Sequence, residues 1–531
     1  MKWISILPVI ALLISCDEKD VNVGGKSASL LDYEAYKSGN DWGPALQQAT
    51  KDFSVISIPE GTYHMSAVRV ASDTEIVGAG ESTVIIPDGI ILFRVEGQAD
   101  DPVPVAADLA DFSNNITLSR DGGFSKGDML ILQSQRNCMF KEDCGEWALG
   151  QTQSKGRTCF FGEIMEVSEA NGCNVTTKEP RIFPFYKANG VSETIKPGFE
   201  SRGATTAMRV RPTKNVIIRN LQVKNKPACL EIVRFKYALH CRAENVSVIT
   251  SERYDEEAQV QLFKTNMAKD CHFIGCSSEY TESMLKVLRG TGKVYDNYSR
   301  YNNFRIISSS ECSFEDCRDN AATHAFSITY ANGGIPSVHC SVLRCHSENS
   351  IWAGVISQQC TPWSVLSGNV VENSSQGVFA GCRFSVIENN IVKTILSKET
   401  DHYYAHLSRG GTVGLAVFEG YGVGCRISGN TVSGFRTGIG VVDGYEQYNI
   451  FDKATDLQIE KNVVDDSYFG FMVVRNGYNN KRVNLSVSVN GNIFNASSDA
   501  NGVQTVGAVL NGVTGVTFSG NKFNEYKTEQ L

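Results

Sequence analysis

Proline is scarce, at 13 of 531 residues, and positive charge is never in surplus. Lysine plus arginine is 50 against 58 aspartates and glutamates, a formal charge of −8. The missing basic surplus gives no support to nucleic acid as a partner. Hydrophobic residues make up 42% and charged residues 20%. That balance excludes a multi-span membrane protein, a collagen-like chain and a disordered one. Glycine, in contrast, is abundant at 48. With so little proline, it suits many short strands joined by tight turns better than long helices.

Lys2 precedes an apolar run from Trp3 to Ile14. The run is too short to span a bilayer and has the length of a secretory signal core. Leu13-Ile14-Ser15-Cys16 resembles the bacterial lipobox, whose cysteine is lipidated and becomes the mature N-terminus. Residues 1–16 are therefore expected to be a lipoprotein signal peptide with Cys16 as the lipidation site, and residues 17–29 a flexible tether. Asp17-Glu18-Lys19-Asp20 resembles the acidic export signal of surface lipoproteins in Bacteroidetes-like bacteria. The implied location is a lipid anchor on the outer membrane, facing the cell exterior rather than the periplasm. Sixteen cysteines suit an oxidising compartment. One serves the lipid and leaves an odd number, so at least one thiol lacks an internal partner. Cys138 and Cys144 stand close enough in a polar loop to pair.

A repeat runs through the last three hundred or so residues. Leu366-Ser-Gly-Asn369-Val-Val371 returns at Asn390, Asn430, Asn462, Asn492 and Asn521. The template is apolar, two turn-formers, Asn, any residue, apolar. Earlier copies place Leu221, Val246, Cys276, Cys317 and Cys345 in the Asn slot, giving eleven copies. The slot spacings from Leu221 to Asn521 are 25, 30, 41, 28, 24, 21, 40, 32, 30 and 29. The shortest fits one turn of three short strands and three bends. Stacking such turns ~4.8 Å apart makes parallel sheets whose hydrogen bonds run along the stack. Asn in the slot can donate to one neighbouring copy and accept from the other, and tolerates a left-handed bend. Cys276, Cys317 and Cys345, with Cys271, Cys312 and Cys340 five residues earlier, read as buried core rather than disulfides. Histidines at zinc-finger spacing are missing beside them, so zinc is not indicated.

These residues resemble the right-handed parallel β-helix of the pectate-lyase-like superfamily. Asp41-Trp-Gly-Pro-Ala-Leu-Gln-Gln-Ala49 is similar to its capping helix, and Ile56-Ser-Ile-Pro-Glu-Gly-Thr-Tyr63 to its first-coil signature. Lys126-Gly-Asp128 and Gly162-Glu163 resemble a segment common in phage-tailspike-like and bacterial surface polysaccharide depolymerases. The resemblance covers about residues 30–524 and implies an all-β, single-domain solenoid over 30–531, with a capping helix and loop insertions on one face. It does not fix the chemistry, because the scaffold hosts lyases, hydrolases, esterases and binders.

The spacings of 41 and 40 mark two insertions, and insertions on a solenoid usually project from its binding face. Lys264, Lys286 and Arg289 flank the first, and the second carries His402, Tyr403, Tyr404, His406 and Arg409. Between and beside them lie His324, Tyr330, Trp352, Gln358, Arg383 and Glu419. The stretch from His324 to Arg383 also resembles the active face of tailspike-like depolymerases, with Gln358 where His is often found. The leading expectation is a lyase that breaks a uronic-acid polysaccharide, pectin-like or glycosaminoglycan, by β-elimination. That chemistry needs a base, an acid and a cation against the carboxylate. His324, Tyr330 and Arg383 fill those roles by type. Lys264, Lys286, Arg289, Trp352, Gln358, His402, Tyr404, Arg409 and Glu419 are the expected substrate contacts. A glycoside hydrolase would instead need two carboxylates, drawn from Glu279, Glu282, Asp316, Asp319, Glu419 and Asp443. A non-catalytic glycan binder is the third reading. No cofactor and no essential metal are expected, for want of clustered acidic ligands. Calcium stays open because some lyases of this fold use it.

Overall fold

The computed structural model describes residues 25–137, 159–184, 186–189, 192–196, 199–202, 204–252, 254, 258–281, 301–331, 333–350, 352–358, 360–394, 412–418, 423–442, 456–474, 483–498 and 504–530. Within them the chain winds as a right-handed parallel β-helix, as expected. One coil is Ser341–Leu343, His346–Glu348 and Ala353–Ser357. The next lies directly on it, pairing Ser341 with Val365, His346 with Val370 and Ala353 with Gln376, all in parallel. Among the described residues, thirteen parallel strands from Val68–Arg69 to Thr528–Gln530 form one face, called here the front sheet. The other two faces join in a ladder of 25 strands.

The repeat slots stack as their spacing predicts. Leu221 pairs with Val246, and the residues just after the later slots pair in turn: Ser277 with Arg318, Arg318 with His346 and His346 with Val370. From Asn369 onward the stack is a continuous amide ladder. The Nδ2 of Asn369, Asn390, Asn430, Asn462 and Asn492 each donates to the Oδ1 of the next member at 2.8–2.9 Å. Each Oδ1 also accepts from a backbone N–H one coil earlier, as in Asn390 N to Asn430 Oδ1 at 2.9 Å. A buried amide must be satisfied this way or lose its hydration for nothing. The left-handed bend belongs not to the slot but to the residue before it: Asn389, Gly429, Lys461 and Gly491 have φ of 55°, 66°, 56° and 64°. That residue carries the turn on the exposed side, which frees the slot side chain to point inward.

No disulfide joins any two of the thirteen described cysteines, and all but Cys173 are buried. Cys241 pairs with Cys271 in the ladder, and burial drives the thiols of Cys276 and Cys317 far above their ordinary range. They act as small apolar fillers, as the slot argument required. Cys16, Cys138 and Cys144 lie outside the described residues. The helix Gly43–Asp52 buries Ala45, Leu46 and Ala49 against the first coil and fulfils the capping expectation.

Two features were not read from the sequence. A column of glycines, Gly377, Gly414, Gly438 and Gly470, climbs the front sheet. A Cβ on Gly414 would sit 2.2 Å from Val432 Cγ1 and 2.8 Å from Gly438 O. Here the front sheet comes so close to the opposite valines that no side chain fits. The second feature interrupts the single run expected over 30–531. Gln98–Ala99, Val103–Pro104, Asn115–Thr117, Met129–Asn137, Phe160–Asn171, Asn174–Thr177 and Thr205–Arg211 form a seven-stranded antiparallel sheet. It leaves the helix after Ile91–Glu96 and lets Glu75–Pro87 pair directly with Ile217–Asn225. Phe161, Phe183 and Tyr186 of this segment pack with Tyr330, Val338, Cys360 and Cys382 of the coils. The slot template is missing between Tyr63 and Leu221, and that gap is its sequence trace.

Replacing Asn430 with Ala removes one rung: the Nδ2 of Asn390 keeps Leu366 O but loses its second acceptor, and the Asn390 backbone N–H loses the same oxygen. Its unfolding free energy is expected to fall by about 2–4 kcal/mol. Gly414→Val is expected to be worse, because backbone rather than a flexible tip must move. Urea titration of both variants checks the order.

Candidate functional site on the front sheet

On a front strand, residues alternate between core and exterior. Phe93, Val95, Val233, Phe235, Phe263, Phe304 and Ile306 point into the core. The intervening residues share an outer column in register: Arg69 with Arg94, Arg94 with Arg234, Arg234 with Lys264, and Lys264 with Arg305. The next partner of Arg305 is Ser327. Five successive coils thus present a cation at one position. Two unit charges ~5 Å apart repel by about 1 to 3 kcal/mol between bulk water and a near-surface dielectric. Two carboxylates offset part of this. Glu96 contacts Arg69 at 3.5 Å and also Arg234, while Glu231 meets Arg234 at 3.2 Å and Lys264 at 3.1 Å. Burial pushes the Lys264 ammonium below its ordinary value, with Arg305 and Arg234 adding to the push and Glu231 opposing it. Only Lys264 of this column was named from the sequence. The readable signal for the others was a cation between two core residues on successive front strands, as in Phe93-Arg94-Val95 and Phe304-Arg305-Ile306.

His324 opens the next strand, His324–Thr329, at its N-terminal edge. It is buried, and desolvation followed by the charge of Arg305 pushes its imidazole down to about 3. Its Nδ1 has no hydrogen-bond partner among the described residues. The Trp352 ring lies 5.4 Å from the His324 ring, and Trp352 Nε1 donates to Gln376 Oε1. The imidazole is therefore unprotonated at neutral pH, but a value so far below the operating pH makes it a weak base.

The structure does not bring the three expected catalytic residues together. Tyr330 follows the far end of the same strand, roughly 20 Å from His324 at strand rise. It packs under the antiparallel sheet with Val338, Cys360 and Cys382. Arg383 is beyond the same edge, 3% exposed, beside Cys382 and Cys425. Gln358 is also at that edge, accepting from the Thr329 hydroxyl while its N–H donates to Ile328 O at 2.9 Å. Outer neighbours one coil apart on a single column could meet one sugar; opposite strand ends cannot. Lys286, Arg289, His402, Tyr404, Arg409 and Glu419 lie outside the described residues, as do Tyr403, His406, Glu282 and Asp443.

The hydrolase carboxylates that are described do not converge either. Asp316 sits at an outer bend gripped by Arg344 at 2.9 Å. Glu279 is exposed on a side face, in Ser277–Tyr280. Asp319 is fully buried inside the helix, where Asn303 Nδ2 donates to its Oδ1 at 2.6 Å. The cluster best suited to a metal among the described residues is His346, Glu348 and Glu372 on the same side face. Lys393 at 2.6 Å and Arg318 at 3.5 Å already neutralise its carboxylates.

Burial raises Asp319 from 3.8 to about 7, with Asn303 and Ser278 pulling the other way. Its folded value therefore exceeds its unfolded one, so the folded chain holds the proton more tightly. Stability falls as pH rises from about 4 to about 7, and the cost is complete above that window. Asp319→Asn is expected to raise the melting temperature at pH 8 and to change it little at pH 5. An equal effect at both values would remove Asp319 as the cause.

No family model and no curated protein matches the sequence. Solved structures do match its fold. The tailspike of Acinetobacter baumannii bacteriophage AP22, in complex with A. baumannii capsular saccharide, is 12% identical with a TM-score of 0.55 and covers 93% of this chain and 76% of its own. The catalytic unit of a thermostable α-1,3-glucanase from Streptomyces thermodiastaticus is 10% identical at a TM-score of 0.50, covering 94% and 69%. The tailspike of Pseudomonas phage phi297 is 12% identical at 0.49, covering 92% and 80%. At such identities the shared property is the architecture, and this chain has the parallel β-helix of those proteins.

Proposed function

We propose that the protein is a glycan-processing enzyme, a polysaccharide lyase that cleaves a uronic-acid chain by β-elimination. The observation that carries this reading is the buried imidazole of His324, its Nδ1 without a hydrogen-bond partner among the described residues, on the strand that pairs with that of Arg305. Support of a weaker kind comes from the AP22 tailspike, which shares the fold and binds a saccharide. The proton to be removed sits beside the sugar carboxylate. Arg305 neutralises that carboxylate and stabilises the charge that develops on it. His324 Nδ1 takes the proton, and the electron pair forms the ring double bond. The glycosidic C–O bond breaks, and its oxygen leaves with a proton from water. Arg305 thus replaces the buried Arg383 as neutraliser, and water replaces Tyr330 as acid. A carboxylate bound against Arg305 also removes part of what depresses His324, so the base strengthens when substrate arrives.

Among the described residues, the front-sheet carboxylates Glu96 and Glu231 are both engaged by Arg234, so neither is a free member of a hydrolase pair. Incubation with polygalacturonate, polymannuronate or chondroitin sulfate is expected to produce an unsaturated, ultraviolet-absorbing end. New reducing ends without that absorbance would overturn elimination in favour of hydrolysis. His324→Gln is expected to lower turnover by about 100-fold or more, with the melting curve little changed. Because His324 in the free enzyme titrates near 3, kcat/KM should show no acid limb around pH 6–7. A limb there that persists in His324→Gln would place the titrating base elsewhere.

We also propose that Cys16 is the acylated N-terminus and that the enzyme works at the outer face of the outer membrane. Cys16→Ser should move the protein from the detergent phase to the aqueous phase. Protease treatment of whole cells should digest the wild-type protein, and protection of it would place the enzyme on the periplasmic side.

A further inference from the structure

Glu163 is buried in the inserted strand Phe160–Asn171, and the proposed chemistry makes no use of it. Its carboxylate holds a strap of chain that is neither strand nor helix. Pro180 and Pro184 bracket the strap and have no N–H to offer. Of the three N–H groups between them, that of Arg181 donates to Ser113 O at 3.2 Å. The other two go to Glu163: Ile182 N–H donates to its Oε2 at 2.9 Å and Phe183 N–H to its Oε1 at 3.4 Å. The Tyr186 hydroxyl donates to the same Oε1 at 2.9 Å. The strap in turn carries rings onto the coils. The Phe183 centroid lies 4.7 Å from that of Phe161 and 5.7 Å from that of Trp363, and Tyr186 lies 5.7 Å from Phe161. Tyr330, Cys360 and Cys382 of the coils pack in the same cluster. One buried side chain thus fastens the strap that seals the insert over this edge of the front sheet.

We propose that Glu163 is a proton-operated clasp: the strap lies on the coils while the carboxyl is protonated and loosens as it ionises, uncovering the edge where Tyr330 and Trp363 stand. Burial is the largest influence on this carboxyl and raises it from 4.5 to about 7, against the pull of Ile182, Tyr186, Phe183 and the Arg181 charge. The closed strap therefore holds the proton more tightly than an open one, in which water surrounds the carboxyl. Closure is firmest below about pH 4.5, weakens as pH rises to about 7, and is constant above that. Across the window the opening equilibrium grows by roughly 300-fold, ten-fold for each pH unit. The groups around the carboxyl come from three sides. Arg181 and Tyr186 face it from the strap, with Asp111 acting on Arg181. Leu132 is its partner on the neighbouring strand. From the coils come the Tyr330 hydroxyl and the Cys360 and Cys382 thiols. Phenols, thiols and guanidinium groups ordinarily keep one charge state between pH 4.5 and 7. The Arg181 guanidinium is bound by Asn115 O at 2.9 Å and by Ala110 O, so its place is set apart from the carboxyl. The clasp does not rest on the lyase reading, in which neither Glu163 nor the strap takes part.

The test is hydrogen–deuterium exchange on the full chain from about pH 4.5 to about pH 8, corrected for the intrinsic pH dependence of exchange. It is read on a peptide that spans Ile182 and Phe183. In the wild-type protein these amides should lose protection by about 100-fold or more as pH rises, while those of the front strand His324–Thr329 stay protected. Glu163→Gln is uncharged at every pH, so protection of the strap should no longer vary with pH. Tyr186→Phe removes a donor that favours the ionised carboxylate, so its transition should move to higher pH. Asp319→Asn removes the other buried carboxyl raised to about 7 and should leave the strap transition in place. Level protection in wild type across the range would overturn the clasp, as would an equal loss in Glu163→Gln. Joint loss in the strap and the front strand would mean global unfolding and would overturn it too. A transition that vanishes in Asp319→Asn would assign it to Asp319 instead. Should Glu163→Gln fail to fold, Tyr186→Phe decides: a transition that stays put or moves to lower pH removes Glu163 as its cause.

Discussion

Everything in this protein depends on coil-to-coil register along the helix axis. Backbone hydrogen bonds supply most of the cohesion, but they do not by themselves say which residue sits above which. The amide ladder does. Asn390 donates to Asn430, and Asn430 to Asn462, at 2.9 and 2.8 Å. A slip by one residue would break these side-chain bonds and turn every inward residue outward. In the earlier coils, cysteines hold the same position with weaker thiol bonds, Cys276 Sγ donating to Ala243 O at 3.4 Å and Cys317 Sγ to Phe273 O at 3.3 Å, and the rings of Phe263, Phe304 and Phe326 stack beside them with neighbouring centroids 4.7 and 4.8 Å apart.

Register also creates the chemistry. A lysine or arginine on an exposed strand is ordinary. Five of them in one column are not, because each added coil places another charge one strand spacing from the last. The same stacking sets the character of the neighbouring imidazole. His324 is kept neutral by burial and by Arg305, the member of the column nearest to it. A site of this kind has no single sequence motif: its residues are spread from Arg69 to His324, with an entire antiparallel sheet inserted between Arg94 and Arg234.

That inserted sheet explains where the sequence reading of the site went astray. Tyr330 and Arg383 are polar residues just beyond front strands, and in a bare solenoid they would line its flank. Phe161, Phe183 and Tyr186 cover that edge and take Tyr330 into their core. Glu163 is buried in the same region, accepting from the Ile182 N–H and the Tyr186 hydroxyl at 2.9 Å. Burial raises it to about 7. His324 and Trp352 stand at the opposite edge of the front sheet.

The sequence by itself determined the solenoid, the slot positions, the buried cysteines and the capping helix. Each rests on local chemistry that recurs at a fixed period, so one coil read correctly predicts the next. Only the tertiary structure decided which residues share a column and which edge is covered. Strand register couples residues that are 20 to 140 positions apart, and the covering sheet arises from a segment with no repeat. The left-handed residue before each slot and the glycine column belong with the second group, because they answer to distances between faces that no single strand carries.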